Sequence, residues 1–278
     1  MKRSNMPKMD IGSRPNVRAD VTTEAINRWM PDLRAADSGG AEITILDAIG
    51  ADFWGEGVTA KRVAGALRAI GDRDVVVTIN SPGGDVFEGV AIYNLLREHK
   101  GEVTVKILGL AASAASIVAM AGDRIEIGAA ASIMIHNSWV LAAGDRLQMR
   151  EIADWLEPFD QGMAEVYAMR TGVDVDQIGA MMDAETWVQG RAAVDQGFAD
   201  DLLSSDQVSI DGSDPQAKSL RAERKFDLVA ARAGLSRADG RDLLRDVKGG
   251  KPGAALTDEP GAVEIRQGLE EILASFKT

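Results

Sequence analysis

The stretch DVVVTINSPGGDVFEGVAIYNLLREH, residues 74–99, sets the fold. DVVVTIN is rich in β-branched residues, the pattern of a strand buried on both faces of a parallel sheet. SPGG breaks the run. From Asp85, at the N-cap position, apolar residues then fall at helical spacing as far as His99. The same alternation surrounds it. EITILDAIG (42–50) reads as a short apolar strand, and TAKRVAGALRAI (59–70) as a helix with Thr59 as its N-cap. EVTVKILGL (102–110) is a strand that passes through GLAASAAS (109–116) into a helix over 113–121. DRIEIG (123–128) and SIMIHNS (132–138) are further strands, and Arg146 to Arg170 reads as one long amphipathic helix. DVDQIGAMM (174–182) and GRAAVDQGFAD (190–200) are shorter helices, the last stopped by Gly197. Strands alternating with helices imply an α/β fold with parallel strands.

The flanks differ in composition. Residues 1–40 are polar and punctuated by Pro7, Pro15, Pro31 and Gly39-Gly40, which reads as an arm with one short helix from Thr23 to Met30. After Leu203, SSDQVSIDGSDPQAKS (204–219) is linker-like, residues 220–247 are charged with helical spacing, and GGKPGAALTDEPG (249–261) is a second flexible stretch. AVEIRQGLEEILASF (262–276) reads as a short amphipathic helix. The division expected is therefore an arm at 1–40, a catalytic-sized domain at 41–203 and a linker with helical tail at 204–278.

Composition narrows the chemistry. The 278 residues, 45% hydrophobic, suffice for one sizeable core plus extensions. There is no cysteine and there are two histidines, so disulfides, thiolate metal sites and a histidine-rich metal cluster are excluded, and no metal or cofactor is expected. The net charge is −12, and residues 41–204 hold 12 basic against 25 acidic side chains, a field that repels nucleic acid. No apolar run approaches the ~18 residues of a membrane span, and the N-terminus lacks an apolar signal-peptide core, so the expectation is a cytoplasmic protein without membrane attachment.

Two turns share one sheet edge. NSPGGD (80–85) and GLAASA (109–114) both lie where a strand ends and a helix begins, the edge at which α/β folds bind ligands. A glycine pair there leaves backbone N–H groups accessible, which suits an anion or an oxyanion. SPGG by itself reads first as a tight turn, and a phosphate site of the GxxxxGK[ST] kind is absent. Ser113, among alanines, is either small for packing or a nucleophile. A nucleophilic serine needs a base, and His136 ends an apolar strand 23 residues later. His99 sits at a polar helix end, where it suits the helix dipole. A base needs an orienting acid, and MMDAETW (181–187) offers Asp183 and Glu185.

INSPGGDVFEGVAIYNLL, GLAASAAS, IMIHNS and ETWVQGRAAVDQGFAD resemble, in that order, the signature blocks of the Clp-type serine peptidases, within the wider Clp/crotonase superfamily. The resemblance spans residues 41–203. It implies a spiral of ββα units with a protruding long helix, to which this chain adds flexible N- and C-terminal extensions. It makes Ser113 the nucleophile, His136 the general base, and the Gly84 and Ala114 N–H groups the oxyanion donors. The third member falls on Glu185, where the family usually has aspartate. Asp183 is the alternative, because residues two apart on an extended segment point to the same side. Ser138 stands where many relatives have proline. The long extensions and the wording MMDAETW look like phage-encoded members, whose peptidase processes scaffold or capsid proteins during head maturation.

The helix from 146 carries Leu147, Met149, Ile152, Trp155, Leu156, Phe159, Met163, Val166 and Tyr167, more than one core-facing stripe needs. By resemblance this helix joins stacked rings, which implies a homo-oligomer acting on polypeptides, with any ATP-driven motor a separate chain. Other readings are a crotonase-type acyl-CoA enzyme, a Ser-Lys dyad using Lys100 or Lys106, and a non-catalytic assembly protein whose tail binds a partner. The peptidase and tail roles combine if the enzyme trims its own tail.

Overall fold

The computed structural model describes residues 18–19, 21–35, 40–50, 57–204, 208–210, 215–235 and 237–248. In chain order the elements begin β1 (Arg18–Ala19), α1 (Thr23–Arg28), β2 (Leu33–Ala35), β3 (Glu42–Ile45), α2 (Ala60–Ile70), β4 (Val75–Ser81) and α3 (Val86–Glu98). They continue with β5 (Val103–Ala112), α4 (Ala114–Ala119), β6 (Arg124–Ile127), β7 (Ser132–Ile135), β8 (Val140–Leu141), α5 (Arg146–Thr171), α6 (Val175–Asp183) and β9 (Thr186–Gln189). The last are α7 (Gly190–Asp195), β10 (Asp201–Leu202), β11 (Val208–Ile210), α8 (Pro215–Arg232) and α9 (Arg237–Lys248).

The DVVVTIN run forms β4, which lies between β5 and β3 in a parallel sheet of order β10-β6-β5-β4-β3. Val77, Ile79, Val105 and Ile107 on the paired strands are fully buried, which is why these segments read as continuous apolar runs. The ten-residue β5 has two partners. Thr104–Ile107 pair with β6, and Leu110–Ala112 pair with β7. Its register with β4 slips between Ile79 and Ser81, so Ile79 faces Ile107 but Ser81 faces Ala111. The slip carries both strand ends to the same edge, where their turns meet.

Helix starts follow the caps read from sequence. Thr59 accepts from Arg62 N, and Asp85 accepts from Phe87 N and Glu88 N. Asp145 and Gln148 form a reciprocal capping box at the start of α5. That helix has two halves. Phe159, Met163, Val166 and Tyr167 are buried in the core, whereas Leu147 is 57% and Met149 37% exposed. Pro158 lies at the changeover.

The flanking segments are more closely tied to the sheet than their polar composition implies. Trp29 and Ala25 of the supposed arm are wholly buried and Ile26 nearly so, in one apolar cluster with Leu110, Met134 and Leu228. β2 pairs antiparallel with β11, inside the stretch that read as a linker. The expectation of flexible extensions beyond 41–203 therefore does not hold for residues 21–33 and 215–228. A few apolar anchors, widely spaced in polar sequence, fix these segments. The backbone divides into two compact units, Met1–Leu228 and Val229–Thr278. In the second, Leu235 N–H donates to the Ala230 carbonyl to close the end of α8. The amphipathic helix expected at 262–276 lies outside the described residues. Among the described residues no helix is long and apolar enough to cross a membrane.

Candidate active site

Ser113 leaves β5 with φ 54° and ψ −125°, a backbone conformation that costs an L-residue about 1–3 kcal/mol unless its surroundings enforce it. The surroundings do enforce it. Ser113 N–H donates to the Met134 carbonyl at 2.9 Å. The Ser113 carbonyl accepts from Ser116 N–H at 2.9 Å and from Ser116 Oγ at 2.6 Å. Ser116 Oγ also bonds the buried Tyr167 hydroxyl at 2.7 Å. Small residues let the neighbours close in, since a Cβ on Gly89 of α3 would lie 2.8 Å from Ala114 Cβ.

The glycine turn lies directly against this elbow. A Cβ on Gly83 would fall 2.5 Å from the Ala112 carbonyl oxygen and 2.7 Å from Ser113 Cβ. Gly84 has φ 143°, and a Cβ there would sit 2.1 Å from the Ile49 carbonyl oxygen. Ile49 bridges the turn by donating its N–H to Gly83 O at 2.8 Å and accepting from Asp85 N at 2.9 Å. That bridge leaves the Gly84 N–H out of the ladder. Gly84 and Ala114 both line one cleft with Ser113 and His136, and Val86, Met163 and Tyr167 give it apolar walls.

His136 follows β7, whose pairing with β5 fixes its height beside Ser113. Its Nε2 lies 2.7 Å from Ser113 Oγ. Burial lowers its pKa from 6.5 to about 4, so the ring is neutral at pH 7. β9 runs antiparallel to β7, and the ladder ends with Ile135 opposite Thr186, one residue short of His136 on one strand and of Glu185 on the other.

The segment 183–185 is not extended, which corrects the argument that Asp183 and Glu185 point to the same side. Asp183 ends α6, Ala184 caps it, and Glu185 turns the chain with φ 49°, its N–H donating to the Met182 carbonyl. Asp183 accepts a 2.7 Å hydrogen bond from Asn137 Nδ2. Among the described residues the hydrogen bond of the His136 ring is the one to Ser113, and neither carboxylate is bonded to it. The structure therefore gathers Ser113, His136, Gly84 and Ala114 in one cleft, and Glu185 sits in the turn that leads into β9.

The remaining candidates fall elsewhere. His99 caps α3 and its Nε2 bonds the Arg73 carbonyl at 2.7 Å. Lys100 pairs with Asp72 at 3.0 Å on an exposed edge. Lys106 sits mid-strand opposite Thr78 and Glu126, away from the cleft. Ser116, Tyr167 and Asp160 had no part in the sequence reading of the site. Asp160 accepts from Ser138 N–H at 2.5 Å, and burial pushes its carboxyl pKa up. Ser116 was legible only as one more small residue, and Tyr167 only as part of an apolar stripe. Among the described residues no cluster of three or more His, Asp or Glu is placed to hold a metal ion.

A hydroxyl bonded to a neutral imidazole beside accessible amides is equipped for acyl transfer. The comparisons with known proteins place this equipment in a family. The family model described as Clp protease matches residues 58–206, and the chain belongs to that family. ATP-dependent Clp protease proteolytic subunit 3 of Rhodococcus jostii (strain RHA1) is 34% identical over 136 residues, 48% of this chain and 67% of that protein. Proteolytic subunit 2 of Thermobifida fusca (strain YX) is 32% identical over 152 residues, 52% of this chain and 75% of that protein. Subunit 1 of Streptomyces coelicolor (strain ATCC BAA-471 / A3(2) / M145) is 32% identical over 136 residues, covering 62% of its length. Clp proteases are serine peptidases that form homo-oligomeric rings and act on polypeptides.

Proposed function

We propose that the chain is a serine endopeptidase in which Ser113 is the nucleophile, His136 the general base and Glu185 the orienting acid. The observation that carries the reading is the 2.7 Å hydrogen bond from Ser113 Oγ to His136 Nε2, made by a serine held in a strained turn. Ser113 Oγ attacks the peptide carbonyl as Nε2 takes its proton. The negative charge on the carbonyl oxygen is received by the Gly84 and Ala114 N–H groups, each donor worth about 10²–10³ in rate. Nε2 then gives the proton to the leaving amine, and an ester remains on Ser113. Water, deprotonated by the same nitrogen, hydrolyses the ester and restores the hydroxyl.

Glu185 is the acid of choice over Asp183 for two reasons. It directly precedes Thr186, whose partner Ile135 directly precedes His136, which supports a place near the ring, and the Asp183 carboxylate already holds Asn137. Its reach to Nδ1 needs a side-chain movement, and the carboxylate would then raise the basicity of a ring that burial leaves weak. The natural substrates in this reading are polypeptides of a phage head, scaffold or capsid, cut within a homo-oligomeric ring. The wording MMDAETW at 181–187 and the long flanking segments support that finer reading. The exposed Leu147 and Met149 on α5 support a ring contact.

The test is labelling with a fluorophosphonate, followed by peptide mapping. The label is expected on Ser113 alone and is expected to be lost in Ser113→Ala and His136→Ala. Label on another serine, or none on the assembled protein, overturns the assignment. Co-expression with capsid or scaffold proteins of the same genome tests the finer reading. Cleavage by the wild type and none by Ser113→Ala supports it, and intact partners in both count against it.

A further inference from the structure

Both flanking segments converge on the strand end that feeds the glycine turn. From the N-terminal side, Trp29 Nε1 donates to the Asn80 carbonyl at 2.8 Å, and Asn80 Nδ2 donates to the Met30 carbonyl at 2.6 Å. From the C-terminal side, Arg224 of α8, 4% exposed, grips Asp47 with two nitrogens. Its Nε lies 2.8 Å from Oδ1, and Nη2 bonds Oδ2. Arg221 of the same helix donates to the Trp29 carbonyl, so the two segments also hold each other. Asp227, one turn on, shares the Arg224 charge at 3.1 Å.

Asp47 is linked in turn to the catalytic loop. Its carbonyl accepts from Ser81 Oγ at 2.6 Å, and Ser81 Oγ accepts from Gly83 N at 3.2 Å. Two residues after Asp47, Ile49 makes the bridge across Gly83 and Asp85. Asn80 and Ser81 are fully buried, so these bonds have no water to replace them. Trp29, Asp47 and Arg224 all lie outside the residues 58–206 that match the family model. The segment that matches therefore holds the glycine turn from one side, and the flanks hold it from the other.

We propose that Arg224 is a positioning residue for the oxyanion turn: through Asp47 and Ser81 it fixes where the Gly84 N–H points, so the flanking segments form a brace that the catalytic turn requires. The proposal rests on the serine peptidase reading above. It makes any cut between Leu203 and Arg224 an event that detunes the active site.

The experiment measures the second-order rate of fluorophosphonate labelling at Ser113 by intact mass, at 25 °C and below each variant's melting temperature. Three variants of the full chain are compared. Asp47→Asn keeps the volume and leaves Arg224 paired with Asp227, so the fold is retained. Arg224→Met removes the charge. Arg170→Met breaks another arginine–aspartate pair, Arg170 with Asp200 at 2.5 Å, in which the arginine side chain is likewise 4% exposed, at a different place. All three are expected to melt earlier, a purely structural effect. Only Asp47→Asn and Arg224→Met are expected to label more slowly, by about 10-fold to 100-fold, within the loss of one oxyanion donor. The double variant is expected to be no slower than the slower single, because both break one contact. Labelling of Asp47→Asn at the wild-type rate, or equal slowing by Arg170→Met, overturns the brace. Failure of the wild type to label overturns the peptidase reading, and the brace falls with it.

Discussion

Burial of His136 makes acid sensitivity a quantitative prediction. The ring pKa is lowered from 6.5 to about 4 because burial penalises the charged form. The unfolded chain therefore binds more protons than the folded one between those two values. Stability is unaffected well above pH 6.5 and falls as the pH drops through the window. With those end points the linkage amounts to at most about 2 kcal/mol at pH 5 and about 3 kcal/mol at pH 4. Denaturant titrations of the wild type and His136→Gln should diverge by that amount on going from pH 7 to pH 5, with the variant losing less. The direct readout is NMR of the protein carrying isotope-labelled histidine. The chain has two histidines, so two sets of ring signals suffice. The His136 signals should stay those of the neutral ring down to pH 5, and fluorophosphonate labelling should hold its rate over the same range. A midpoint at or above 6.5, or parallel loss of stability in both proteins, would refute the reasoning. It would mean that a carboxylate has reached Nδ1 in the free enzyme.

Gly84→Ala should slow Ser113 labelling by at least about 100-fold, since the added Cβ meets the Ile49 carbonyl and turns the N–H away; near wild-type labelling refutes the clash argument. Glu185→Gln should lower peptidase turnover by orders of magnitude and Asp183→Asn by little; the reverse ranking in steady-state kinetics would move the third member to Asp183. Gly89→Ala should destabilise by about 1–3 kcal/mol in thermal or denaturant unfolding, because α3 and α4 touch at Ala114; an unchanged midpoint would show that the helices part freely. Trp29→Ala should cost about 3–5 kcal/mol of stability, which an arm that only drapes over the surface would not.

The legible part of the fold was the part in which neighbours in sequence are neighbours in space. α2 through α4 could be read because each strand is an apolar run closed by glycine or serine and each helix opens on Thr59, Asp85 or a small-residue turn. β9 was not read as a strand. TWVQ is four residues long, follows α6 after a two-residue turn, and pairs with a strand more than fifty positions earlier. The turn at Glu185 was misjudged for a related reason, since positive φ at a non-glycine residue leaves no mark in composition. The flanks were misjudged because their anchors are few. Trp29, Ile26, Arg224 and Leu228 are four residues among many polar ones, and nothing local says that they meet.

Ser113 is where these levels join. A residue in that conformation drifts back to an ordinary one unless the fold leaves it no room, and here the restraint comes from both sides. On one side are the Met134 carbonyl and the Ser116–Tyr167 pair, which clamp the N–H and carbonyl of Ser113 itself. On the other is the glycine turn, which can approach to within a methyl group's width only because Gly83 has no side chain. The turn is held in its own place by Ile49 and Ser81, and Ser81 by Asp47. A strained serine is thus maintained by contacts from α5, β7 and the segments on either side of residues 58–206. Changes far from the cleft in sequence should for that reason appear first as loss of serine reactivity and only later as loss of fold.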